Sequence, residues 1–261
     1  MTATEIEKIV KDFRDSDPEL QQEAIAFTND NGDEATPVPV QTSVKQDGTT
    51  TSYPYRHMPL SLDGRTHIPS DDTKDLMETE VTFDDLYDMT SKFYELAFED
   101  DTLDQFIHSH QDPHGERFAK WIYQKFSGET IWDDDRRILR DLTPKELAGG
   151  RGLHVVQDRT TAHVAAWYSR KRKPEHVGRK FTVNECRVWM RLHFYAMRHV
   201  GLVDKSPTFA DYYMRFIAHF MNVYNSQAPQ YAQDSYDWSA DTTNVETYMK
   251  NGHTMIDLVE R

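Results

Sequence analysis

The pattern of apolar and polar positions divides the chain into an irregular first third and a helical remainder. Residues 4 to 27 predict one or two short helices, with Ile6, Ile9, Val10 and Phe13 on one side. Residues 28 to 80 have no periodicity and are rich in Thr, Asp, Gly and Pro. They predict a loop, a surface-wrapping arm or a disordered stretch that touches the domain at Tyr53, Tyr55, Met58, Leu60 and Ile68. Thr82 followed by Asp85 marks a helix start, and Phe83, Leu86, Tyr87, Thr90, Tyr94, Ala97 and Phe98 trace one face beyond it. A polar segment holding Leu103, Phe106 and Ile107 precedes a helix over about 114 to 127. That helix turns Phe118, Trp121, Ile122 and Phe126 inward and stops at Gly128.

Residues 129 to 157 predict an irregular insert that includes Asp133, Asp134 and Asp135. Its Gly149-Gly150-Arg151-Gly152 run lacks the Lys-Ser/Thr ending of a phosphate loop and reads as a turn. Asp158 can cap a helix to about Ser169, ended by the basic run Arg170-Lys171-Arg172-Lys173-Pro174, which reads as a solvated linker. The next helix carries Val188, Trp189, Leu192, Phe194, Tyr195 and Met197, apolar on more than one face, as expected in the middle of a bundle. Thr182 or Asn184 can cap it, with Glu185 in the first turn. Pro207 opens the clearest amphipathic helix, where Phe209, Tyr212, Tyr213, Phe216, Ile217, Phe220, Val223 and Tyr224 share a face. The tail from Ser226 predicts short helical pieces docked through Trp238, Tyr248, Met255 and Leu258. No strand pattern or internal repeat stands out, so the expected class is all-α.

Composition narrows the function. A net charge of −14 argues against a general nucleic-acid binder, because phosphate contacts need a basic surface. One cysteine, Cys186, excludes an internal disulfide framework and a multi-cysteine zinc site, and its place in an apolar helix reads as core. No run of 18 apolar residues predicts a membrane span, and the acidic N-terminus lacks a signal-peptide core, so a cytoplasmic compartment is expected.

The order of elements is informative. Phe93-Tyr94 lies on one helix, and Asp101-Thr-Leu103-Asp-Gln-Phe106-Ile107 follows. His114-Gly-Glu-Arg-Phe118-Ala-Lys-Trp121-Ile122 runs to Ser127-Gly128, and a histidine region leads to Arg187-Val188-Trp189-Met190. This series resembles the truncated (two-over-two) haemoglobin branch of the globin family over residues 82 to about 225. The resemblance implies a globin-like helical bundle at 81–225 with an insert at 129–157. An N-terminal helix and irregular arm lie at 1–80, and a C-terminal extension at 226–261. It implies haem b (iron protoporphyrin IX) as cofactor and a diatomic gas, oxygen or nitric oxide, as ligand. Tyr94 then matches the tyrosine that hydrogen-bonds the ligand, and Phe106 (Ile107 by strict spacing) the wedge against the porphyrin. His114 and Phe118 match two distal positions, and Trp189 a tryptophan that reaches the ligand. His163 and His176 are both candidates for the axial ligand. His176 has the family spacing, 13 residues before Trp189, but cationic neighbours; His163 has Ala162, Val164, Ala165, Ala166 and Trp167 around it as an apolar wall. Arg159, or the 170–173 run, is a candidate partner for the haem propionates.

Two other readings stand beside this one. The first is a haem-free helical module with the globin fold that binds a protein partner, its pocket filled by mutual contact of Tyr94, Phe118 and Trp189. The second is a non-haem metal site in His108-Ser-His110-Gln-Asp112-Pro-His114-Gly-Glu116. Gas binding without turnover is the favoured form of the haem reading. Dioxygenase or peroxidase chemistry would need a separate reductase, since no flavin or nicotinamide fingerprint is present.

Overall fold

The computed structural model describes residues 3–16, 52–141 and 159–258. The protein is all-α apart from one small hairpin. In chain order the elements are α1 (Ala3–Asp15), β1 (Leu62–Asp63), β2 (Thr66–His67), α2 (Asp71–Thr79), α3 (Phe83–Glu99), α4 (His114–Ser127), α5 (Ile131–Asp141), α6 (Arg159–Trp167), α7 (Val183–His199), α8 (Leu202–Lys205), α9 (Pro207–Tyr224), α10 (Ala232–Trp238) and α11 (Thr242–Lys250). Single 3-10 turns lie at Asp104–Phe106, Pro174–His176 and Pro229–Tyr231.

The helix starts follow from local chemistry. Thr82 accepts from the Asp85 N–H while the Asp85 carboxylate accepts from the Thr82 N–H, and Thr182 and Glu185 repeat the arrangement at α7. Each such cap contributes about 1 kcal/mol by satisfying donors that helical geometry leaves orphaned. Gly128, at φ 80, ends α4. α3 packs chiefly on α4 and α7. At the α3–α4 crossing a Cβ on Gly115 would stand 3.1 Å from Ser91, and the close approach lets Thr90 donate to the Gly115 carbonyl at 2.8 Å. The main core is aromatic: Phe126 meets Phe209, Tyr212, Tyr213 and Phe216, all nearly fully buried. Each such ring contributes roughly 1.5–3 kcal/mol from area alone.

Two stretches differ from expectation. The arm holds structure of its own: β1 pairs antiparallel with β2, and α2 carries a capping box between Ser70 and Thr73. Its contacts are specific. The Ser61 N–H donates to Tyr212 Oη, and His67, buried between Phe126 and Phe216, lies 2.9 Å from the same hydroxyl through Nε2. Part of the insert is likewise helical, as α5. The Gln124 side-chain oxygen accepts from the N–H groups of Trp132 and Asp133 at its start, and Asp135 pairs with Lys120 of α4. The run Gly149-Gly150-Arg151-Gly152 and the capping residue Asp158 lie outside the described residues. Among the described residues, no helix is long and apolar enough to cross a membrane.

The tail docks as predicted and completes a second core. Tyr248, Met255 and Leu258 close over Phe93, Leu96, Ala97, Leu103, Ile107, Val188, Leu192 and Ala196. At its edge the buried Asp100 carboxylate accepts from the N–H groups of Thr102 and Leu103 and from Tyr248 Oη. Burial pushes that carboxyl up to about 6, against the pull of the three donors. The folded state therefore binds its proton more tightly than the unfolded chain. The stability it contributes is full below about pH 4 and is lost as pH rises through about 6. Asp100→Asn keeps an acceptor for both N–H groups without the charge. The variant is expected to gain up to about 3 kcal/mol on the wild type between pH 4 and pH 7. Urea unfolding of both proteins across that range checks this; parallel pH profiles would refute it.

Candidate functional site: an aromatic cavity lined by three histidines

A cavity of about 310 Å³ lies between α3, α4 and the Asp104–Phe106 turn on one side and α6, α7 and α9 on the other, with α5 contributing Trp132, Asp135 and Arg136. Its size is near the lower end for small-molecule sites, roughly 300–1,000 Å³. Its lining is predominantly apolar and aromatic.

One group of rings is built around His163. The imidazole, one turn inside α6, lies 4.5 Å from the Tyr224 ring and 5.9 Å from the Phe181 ring, centroid to centroid. Its Nδ1 is 3.3 Å from Tyr224 Oη. Phe181 continues to Phe106 at 5.0 Å. A second group comes from α3, α4 and α7. Tyr94 stacks on His114 at 5.0 Å, and Phe118 lies 5.9 Å from Trp189. Among the described residues, neither Tyr94 Oη nor Trp189 Nε1 has a hydrogen-bond partner, and both residues line the cavity. Burial pushes the Tyr94 phenol up to about 12, with Arg117 pulling the other way, so it stays protonated and able to donate at neutral pH.

Tyr94, Phe106, His114, Phe118, His163 and Trp189 therefore share one cavity. His176 does not line it. That residue sits in the Pro174–His176 turn, among the cations that follow α6. Trp167 is also elsewhere: it is buried against Phe13 of α1, edge to face at 4.6 Å, and against Phe181. His163 and Trp167 lie one turn apart on the same side of α6 and both contact Phe181, but Trp167 is at the end of the helix, where α1 covers it. Arg159 begins α6, but its side chain lies outside the described residues. His114 lines the cavity with both nitrogens engaged. Nε2 lies 2.8 Å from the Ser109 carbonyl and Nδ1 3.2 Å from an Arg117 guanidinium nitrogen. The tautomer these partners require has Nε2–H donating to Ser109 and Nδ1 accepting from Arg117. No N–H is left for a ligand, and the expected donor is instead a stacking platform for Tyr94. Burial lowers its pKa, which keeps the ring neutral.

Sequence reasoning missed several lining residues: Trp121, Trp132, Arg136, Phe181 and Tyr224. It also missed His193, fully buried behind the wall, whose ring lies parallel to Trp189 at 4.6 Å and 6°. His193 Nε2 is 2.7 Å from Tyr213 Oη, and burial drives its pKa down to about 3, so a neutral ring fixes the indole plane. A histidine i+4 from the tryptophan on an apolar helix is the signal that could have found it.

Neither rival arrangement is present. The pocket is open, and Tyr94 has its ring contacts with Phe93, Phe98 and His114 instead of Phe118 and Trp189. His110 pairs with Asp104 at 2.6 Å and His108 approaches the Ala165 carbonyl at 3.2 Å. Among the described residues, no group of three or more His, Cys, Asp or Glu side chains is arranged to hold a metal ion. No family model, curated protein or solved structure gives a significant match to this chain.

Proposed function

We propose that the cavity binds haem b and, at its iron, a diatomic gas such as oxygen or nitric oxide, with His163 as the axial ligand. The observation that carries this reading is the pairing of the His163 imidazole, in contact with Tyr224, with two unpartnered donors, Tyr94 Oη and Trp189 Nε1, in one aromatic cavity. The donor set fits such a group and fits little else among metals. Among the described residues no three His, Cys, Asp or Glu side chains are arranged to hold a bare ion, whereas a porphyrin brings four nitrogens of its own and needs one more from the protein. The Tyr224 hydroxyl at His163 Nδ1 is an outer contact that would hold the orientation of the ring.

When bound, haem supplies the iron that takes up the gas. The chain's own residues do the rest. Phe106, Phe181, Phe118 and Trp121 line the cavity and would exclude water from an apolar ligand held there. Tyr94 and Trp189 can donate to the charge that develops on a bound gas. The decisive experiment is an absorbance spectrum after haem supplementation, oxidised, reduced and with carbon monoxide. A sharp Soret band that moves with carbon monoxide is expected; a flat spectrum refutes the proposal. Tyr94→Phe should keep haem and release ligand roughly fivefold faster, the effect of losing one hydrogen bond of about 1 kcal/mol. Stopped-flow displacement measures it, and an unchanged rate would remove Tyr94 from the role.

A further inference from the structure

The residues between α6 and α7, 168–182, form an ordered loop built around a buried cation. The Arg172 guanidinium donates to the Trp167 carbonyl at 3.1 Å, where the loop begins, and to the Arg179 carbonyl at 2.6 Å, where it ends. It also faces Glu185 at 3.3 Å and lies over the Phe106 ring at 5.0 Å. The Gly178 N–H donates to the Trp167 carbonyl at 2.8 Å. At φ 83, a Cβ on Gly178 would come within 3.1 Å of the Tyr168 ring, so only glycine closes the loop there.

With its ends tied from inside, the loop presents its other cations to solvent. Arg170, Lys171, Lys173, Arg179 and Lys180 are all exposed, against one loop carboxylate, Glu175. Lys171 is paired with Asp104, and Lys180 lies over Phe13. Arg170, Lys173 and Arg179 have no ion-pair partner among the described residues. Val177 stands 40% exposed among them. This cationic crest sits on a chain whose net charge is −14.

We propose that the crest is a docking surface for an acidic patch on another protein, with Val177 at its apolar centre and Arg170, Lys173 and Arg179 on its rim. Charge complementarity selects the sign of the partner, and the apolar centre with a charged rim is the anatomy of a protein interface. An extended polyanion fits less well. A nucleic-acid duplex offers no side chain to cover Val177, and a net charge of −14 opposes approach to a broad anionic surface such as a membrane. The inference does not depend on what the cavity holds.

The test is fluorescence anisotropy with a labelled peptide of consecutive glutamates at low ionic strength. The wild type is expected to bind it, more weakly as salt rises. Arg170→Gln, Lys173→Gln and Arg179→Gln together should weaken binding at least tenfold. The same neutralisation at Lys8, Lys74 and Lys250 should change it less than twofold. Thermal unfolding should not move in the triple variant, since none of the three side chains has a partner to lose. A leucine in the middle of the peptide should tighten binding, and Val177→Ser should remove that gain. The proposal is overturned if the wild type does not bind, if the triple variant binds as well, or if leucine adds nothing. It is equally overturned if phosphatidylserine vesicles or a DNA duplex bind more tightly than the peptide at the same salt.

Discussion

His163→Ala should abolish stoichiometric haem retention, while His176→Ala retains it in full. The expectation rests on position. His163 lines the cavity within ring contact of Phe181 and Tyr224, and His176 occupies a turn that does not reach it. Removing the imidazole deletes the nitrogen that α6 brings to the cavity and the contact it makes with Tyr224 Oη. Haem per chain, read from Soret absorbance after gel filtration, decides the matter. Full retention by the His163→Ala, His176→Ala double variant would end the axial-ligand proposal outright. Loss in the His176→Ala variant alone would mean the turn rearranges to reach the cavity.

Arg172→Ala should cost the fold about 3–5 kcal/mol, the usual consequence of removing one member of a buried ion pair and leaving the other. Glu185 is nearly buried and would keep its charge with only the Thr182 N–H left to it. The Arg179 carbonyl would lose its Arg172 donor at the same time, and the Trp167 carbonyl would keep only the Gly178 N–H. Arg172→Lys should rescue only part of this, because a single ammonium cannot span two carbonyls and a carboxylate as a planar guanidinium does. Chemical denaturation checks both values. A loss under 1 kcal/mol for Arg172→Ala would show that the loop closes without its buried cation.

That same arginine shows why part of the fold was hidden in the sequence. Among Arg170, Lys171, Arg172, Lys173 and Pro174, nothing local separates the one buried side chain from its exposed neighbours; only the placement of Glu185 and two carbonyls does. The long helices were legible because their information is local. Thr82 with Asp85, Thr182 with Glu185, and Gly128 are self-contained signals, and α9 repeats its aromatic face over four turns. α2 was not legible because it buries only Thr73, Leu76 and Met77, too few positions to establish a period. α5 was masked by its acidic start, which is stabilised by Gln124 from another helix.

The candidate site divides along the same line. Tyr94, Phe118 and Trp189 lie on helices whose faces the pattern fixed, and they reach the cavity. The choice between His163 and His176 turned on how α6 meets α9, a matter of tertiary packing. His114 lines the cavity, yet its two nitrogens are spent on Ser109 and Arg117, which no spacing rule reveals.

The docked tail bears on how the molecule is made. The second core is closed by Tyr248, Met255 and Leu258, and the cavity wall at Leu103 and Ile107 leans on that closure. A nascent chain that has already formed α3, α4 and α7 still lacks the cover for Phe93, Val188 and Leu192 until those late residues leave the ribosome. The cavity therefore matures only after residues 248 to 258 have emerged, and a polypeptide stalled after α9 would carry every helix of the site with one side of its frame unsupported.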